Sequence, residues 1–188
     1  MDRLTINTGR NIVRFMSMDR ITGKVYKEVF SKNLVLYGGA DILAKLLAGN
    51  SNYAISGLYI EYDNAGGTPT PPAFDRSADK SYYDGLISDP NRDYLRVSLA
   101  AAPLFTASSS DYDFNRLTFL GISDGTVGVH GKVFSSAANS TVFGAALYCA
   151  VDPSDSSQDL IYARTYSTGA LAKAAGLSIG VSWLTEIL

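Results

Sequence analysis

The sequence predicts a mainly β protein: an antiparallel β-sandwich or jelly-roll-like domain with one short amphipathic helix at about residues 39–49. Three observations carry that expectation. Short apolar runs recur along the whole chain, bounded by Ser, Asp, Gly or Pro, which is the punctuation of many short strands. Several of these runs alternate with period two, as a half-buried strand does. Tyrosine is over-used, with 12 copies beside 8 phenylalanines. Its ring packs on a pleated surface while its hydroxyl stays wet or hydrogen-bonded.

Taken in order, "NIVRFMSM" (11–18) and "KVYKEVFS" (24–31) are strand-like runs joined by "DRITG", whose Thr22-Gly23 end suits a hairpin turn. Residues 34–37 add a third strand, after which the period changes. Ile42, Leu43, Leu46 and Leu47 recur at i, i+1, i+4 and i+5, one face of a short helix. Asp41 and Lys45 stand opposite, acid four residues before base. Asp41 is expected in the first turn, where the helix dipole favours it, and Gly49 at the C-terminal end. The four aliphatic side chains are expected to close an open end of the sandwich as a structural lid, each contributing about 1.5–3 kcal/mol on burial.

"ISGLYIEYD" then alternates, with Leu58, Ile60 and Tyr62 on one face and Tyr59 and Glu61 on the other. "NAGGTPTPPAFDRSADKS" holds two glycines and three prolines, so a long surface loop is expected at about 63–81. "DYLRVSLA", "FNRLTFLGI", "TVFGAALYCAV", "DLIYARTYS" and "IGVSWLTEIL" continue in strands. "GALAKAAGL" (169–177) favours helix by propensity but is short. With no internal repeat and no linker, residues 1–188 read as a single domain.

Composition narrows the function. The balance of 16 basic against 18 acidic residues, with no Lys/Arg cluster, gives no footprint for nucleic acid. "MDRLTINTGR" lacks the apolar core of a secretory signal, so none is expected. The longest apolar stretches fall short of the roughly 20 residues that cross a bilayer, and a soluble protein without a membrane partner is expected. The single Cys149, in an apolar run, reads as a small buried hydrophobe.

The chemical motifs are weak. "GLSIG" (176–180) matches G-x-S-x-G, but only ten residues follow Ser178 and the one histidine, His130, lies upstream. A nucleophile elbow needs strand, turn and helix, with the histidine following the serine. "DYDFN" (111–115) opens like a calcium loop, yet Arg116 and Ile122 stand where glycine and a carboxylate are required. "DPSDSSQD" (152–159) reads as a solvated turn, and "SADK" (77–80) lacks the partner motifs of an S-x-x-K enzyme. "NST" (139–141) fits a glycosylation acceptor only on a secretory route. A glycosidase would need paired carboxylates, for which Asp93, Asp111 and Asp113 are available. The expectation is no enzyme, no metal and no cofactor.

The segment "KNLVLYGG", the helix "ADILAKLLAGN" and the strand "ISGLYIEYDN" together resemble small virion proteins of tailed bacteriophages. There an N-L-V strand, a G-x-x-x-L-A-x-L-L helix and an I-x-x-[LM]-x-[IL] strand recur near the N-terminus. "YYDGL", "RDYLRVSL" and "SQDLIYARTY" look like continuations, so the resemblance covers residues 10–166. It implies a β-sandwich body, a homo-oligomer with other virion proteins as partners, and no catalysis. The implied place is the virion, assembled in the host bacterial cytoplasm and attached at the head surface or tail. A rival within the class is a host-glycan-binding or fibre-attachment module using tyrosine-rich loops. Sheet edges and the apolar terminus "VSWLTEIL" are the expected oligomer contacts, with Leu184, Ile187 and Leu188 as interface candidates.

Overall fold

The computed structural model describes residues 12–66, 75–77, 79–107, 115–135, 140–167, 169 and 171–187. In chain order its elements are β1 (Ile12–Asp19), β2 (Val25–Lys32), β3 (Leu34–Val35), α1 (Tyr37–Leu47), β4 (Gly57–Asp63) and α2 (Lys80–Gly85). There follow β5 (Arg92–Ser98), β6 (Leu104–Ala107), β7 (Asn115–Ser123), β8 (Thr141–Ala150), β9 (Asp159–Tyr166) and β10 (Leu177–Ile187). The strands form two five-stranded antiparallel sheets, a β-sandwich as the alternating runs predict. The front sheet has the order β2-β1-β10-β7-β6 and the back sheet β3-β9-β8-β4-β5. Between them lie Val13, Phe15, Phe119, Val181 and Trp183 from the front, against Leu58, Ile60, Leu95, Val97 and Leu147 from the back. The β1–β2 hairpin turns where expected: the Asp19 carboxylate accepts from the Ile21 and Thr22 amides, and Gly23 takes φ +68.

Helix α1 starts two residues earlier than its pattern suggests. Asp41 therefore lies in the second turn, with no acidic residue in the first, though its ion pair with Lys45 forms at 2.7 Å. The two glycines before the apolar stripe have a steric purpose. A Cβ on Gly39 would stand 2.1 Å from the Tyr162 carbonyl oxygen, so only glycine lets the helix rest on the β9 backbone. At the other end Gly49 (φ +86) donates to Leu46 O and Asn50 to Lys45 O, the paired bonds of a Schellman cap. Ile42 is fully buried, and Leu43 and Leu46 pack beside it against the core. Leu47 is 72% exposed, a correction to the four-residue lid. At 3.6 residues per turn it points about 140° away from Ile42, outside the buried stripe.

Other expectations need correction. The loop placed at 63–81 is shorter: Asp63 is the buried end of β4, and Lys80 opens α2, capped by the Asp79 carboxylate. Residues 67–74 and 78 lie outside the described residues. "GALAKAAGL" is not helical; Leu171 and Lys173 alternate inward and bond in extended fashion to Val142 and Ser140. The last strand is not an edge: β10 is the centre of the front sheet, paired along its length with β1 and β7. No helix among the described residues is long and apolar enough to cross a membrane.

Candidate functional site

Every residue of β4 is buried, because both of its faces are covered. Leu58 and Ile60 enter the sandwich core, while Tyr59 enters a second cluster on the outer face of the back sheet, to which Tyr83 ties Glu61. There Tyr59, Tyr83, Tyr94 and Tyr148 pack with ring centroids 4.5–5.2 Å apart. Helix α2 supplies the cover, burying Tyr83. Arg164 of β9 reaches across β8 to Glu61, its Nε donating at 3.0 Å and its Nη2 at 2.7 Å. Small residues make that reach possible: Gly144 and Ala146 of β8 lie between the two strands, in register with Glu61 and Arg164. The Tyr83 hydroxyl donates to Glu61 at 2.8 Å and that of Tyr82 at 3.2 Å. Four donors thus fill the carboxylate's acceptor positions.

A second bidentate pair repeats the device. Arg96 donates to Asp159 at 2.7 and 3.0 Å, and the Tyr59 hydroxyl donates to the same carboxylate. Burial pushes the Tyr59, Tyr82 and Tyr83 phenols well above their ordinary value, and the neighbouring carboxylates push them further. These hydroxyls stay protonated as donors. The arrangement holds the sheet and its cover together through matched charges; it presents no free acid, base or nucleophile.

Asp93 is buried at the end of β5 and accepts from the amides of His130 at 3.0 Å and Lys132 at 3.1 Å. Asp111 and Asp113, the other two carboxylates available for a glycosidase pair, lie outside the described residues. His130 Nε2 donates to the Tyr83 carbonyl at 2.9 Å, tying the turn around residues 127–133 to α2. Ser178 sits inside β10, which runs on as strand to Ile187, and its hydroxyl donates to Asp124. The strand–turn–helix of an elbow is not formed there. Burial raises the Cys149 thiol to about 11, and its Sγ lies 3.3 Å from the Asn52 carbonyl. Asp152 and Asp155 accept from serines of their own turns. Among the described residues no group of three His, Cys, Asp or Glu could hold a metal ion. Asn139 also lies outside them, and Lys80 of "SADK" pairs with Asp84 within α2.

The outer face of the front sheet has the opposite character. One cross-strand row runs Lys32, Ile12, Leu184, Thr118, Leu104, and the next runs Phe30, Arg14, Ser182, Leu120. Ile12 is 46% exposed, Phe30 52% and Leu104 65%. Leu184, half-buried, lies mid-face. Ile187 ends β10 opposite Asn115, and Leu188 lies outside the described residues. Both helices pack against β9 of the back sheet. The chain matches no protein-family model, no curated protein and no solved structure.

Proposed function

We propose that this chain is a non-enzymatic structural protein of a tailed-phage virion, self-assembling and attached to the head surface or the tail. The observation that carries the reading is the outer face of the front sheet, where Ile12, Phe30 and Leu104 are exposed and Leu184 is half-buried among polar neighbours that include the Arg14–Glu28 ion pair. Large apolar side chains exposed together on one face, set among polar ones, are the composition of an interaction surface. Five strands spaced at about 4.8 Å, most of them about 30 Å long, offer roughly 700 Å². A standard interface buries about 800 Å² per partner, so the face is close to the size a stable contact between copies needs. The buried ionisable groups of the back sheet add support, since each is spent on internal pairing. Resemblance of residues 10–166 to small virion proteins supplies the particle.

The glycan-binding alternative loses ground. Seven tyrosines are buried within the fold, leaving Tyr26 and Tyr37 as the exposed ones among the described residues. The test has two parts. Sedimentation of the purified protein should show association that grows with concentration. Electron microscopy of the parent particle should place many copies on the head lattice, or one ring at a vertex or along the tail. A protein that stays monomeric at high micromolar concentration and never joins a particle overturns the reading.

A further inference from the structure

At the end of the sandwich where α1 meets the front sheet, a half-open cleft of about 280 Å³ enters between the layers. Its walls include Leu43 and Leu46 of α1, Ile55, Leu117 and Phe119 of β7, and Tyr162 of β9. These walls cannot close on one another. The β7 residues are fixed by the sheet ladder, and α1 is held against β9 by the close backbone approach at Gly39. One polar atom at this site is unexplained. Thr185 lines the cleft, is 3% exposed, and its Oγ1 is buried without a hydrogen-bond partner. Buried hydroxyls are nearly always paired, because an unpaired one has lost its water for nothing.

We propose that this cleft binds a neutral, mostly apolar small molecule carrying one hydrogen-bonding oxygen, which meets Thr185 Oγ1. Size follows from comparison: an apolar cavity of about 150 Å³ takes benzene, so this one fits about ten or eleven non-hydrogen atoms. Charge follows from the lining. Among the described residues no charged side chain lines the cleft, so a carboxylate or ammonium group would be desolvated without compensation. The site lies between the layers and away from the outer face of the front sheet, so it stands or falls independently of the virion reading.

The test titrates β-naphthol, naphthalene and β-naphthoate into the full chain by calorimetry. β-Naphthol should bind one-to-one and saturably, with β-naphthoate at least about tenfold weaker for want of a cation. Thr185→Val, which keeps shape and removes the hydroxyl, should lower β-naphthol affinity about 2–10-fold and leave naphthalene unchanged. The same variant should melt higher without ligand, since it deletes an unpaired buried group. Leu46→Trp and, separately, Ile55→Trp should fill the cleft and abolish binding; at least one must melt cooperatively for the comparison. Absence of saturable β-naphthol binding, binding that survives a folded filling variant, equal affinity for β-naphthoate, or a Thr185→Val protein that melts lower would each overturn the assignment.

Discussion

The two outer faces of this sandwich invert the usual expectation about what is buried. On the back sheet, Glu61, Arg164 and Asp159 are nearly inaccessible, and the tyrosines around them are packed ring against ring. On the front sheet, Ile12, Phe30 and Leu104 stand in the open. The strands on both sides have the same period, so periodicity does not explain the difference. Cover does. The back face has α2 laid over it, with the turn near His130 bonded to that helix, and each carboxylate there is matched to donors. A charge can be buried when its partners are geometrically complete. The front face has apolar side chains that would gain from burial, and among the described residues no helix lies over it. Internal pairing is concentrated on one outer face, and exposed apolar side chains on the other.

The largest effect should come from breaking the back face. Arg164→Met removes two of the four donors to Glu61 and leaves a carboxylate buried without its counter-charge. The expected loss is about 3–5 kcal/mol in urea unfolding. Adding Glu61→Leu should recover most of it, because an apolar pair of similar volume needs no compensation. A loss below about 1 kcal/mol for the single variant would show that the network contributes nothing beyond packing.

Proton linkage gives the next effect. The Tyr59, Tyr82 and Tyr83 phenols are raised by burial first and by Asp159 or Glu61 second. Free tyrosine ionises near about 10. Above that pH the unfolded chain releases protons that the folded chain retains, so stability is complete below about 10 and falls as pH rises beyond it. Tyrosinate absorbance from these rings should appear together with loss of tertiary structure on alkaline titration, not ahead of it. Tyr83→Phe should make the alkaline slope shallower, at a cost of about 1.5–3 kcal/mol near neutrality for one lost bond to a charged group. A smaller change, about 1–3 kcal/mol, is expected for Gly144→Ala, whose Cβ would lie 2.6 Å from the Thr165 carbonyl oxygen.

Much of this architecture is legible in the residues, and the rest fails for identifiable reasons. Leu58 and Ile60 alternate with Tyr59 and Glu61, which locates both faces of β4. Nothing local says that both are covered. Helix α2 has six residues and follows a Pro/Gly-rich stretch, so its stability comes from packing Tyr83 rather than from a pattern a short window displays. The Glu61–Arg164 pair is 103 residues apart in sequence, and a contact of that range leaves no spacing signal. The position of β10 was hidden in the same way. An apolar terminal strand looks like an exposed edge until β1 and β7 are known to flank it. The cleft beside Thr185 depends on how α1 and β7 are set facing each other across it, which no single segment encodes.

The smallest effect on stability should come from the front face, and it is the one that decides whether that face has a partner. Leu184 is half-buried, points away from Trp183 and lies between Ile12 and Thr118. Leu184→Glu keeps the β10 ladder, so the isolated subunit should lose no more than about 1 kcal/mol. Association should respond far more, because a carboxylate placed mid-interface must be desolvated when copies meet. Concentration-dependent sedimentation should disappear in Leu184→Glu and survive in Leu184→Ala. Leu47→Glu is the control: this leucine is also exposed, but it ends α1 rather than facing outward from the front sheet. It should leave association intact. If Leu47→Glu abolishes association and Leu184→Glu does not, the contact runs through the helix end, and the front sheet is not the surface on which copies meet.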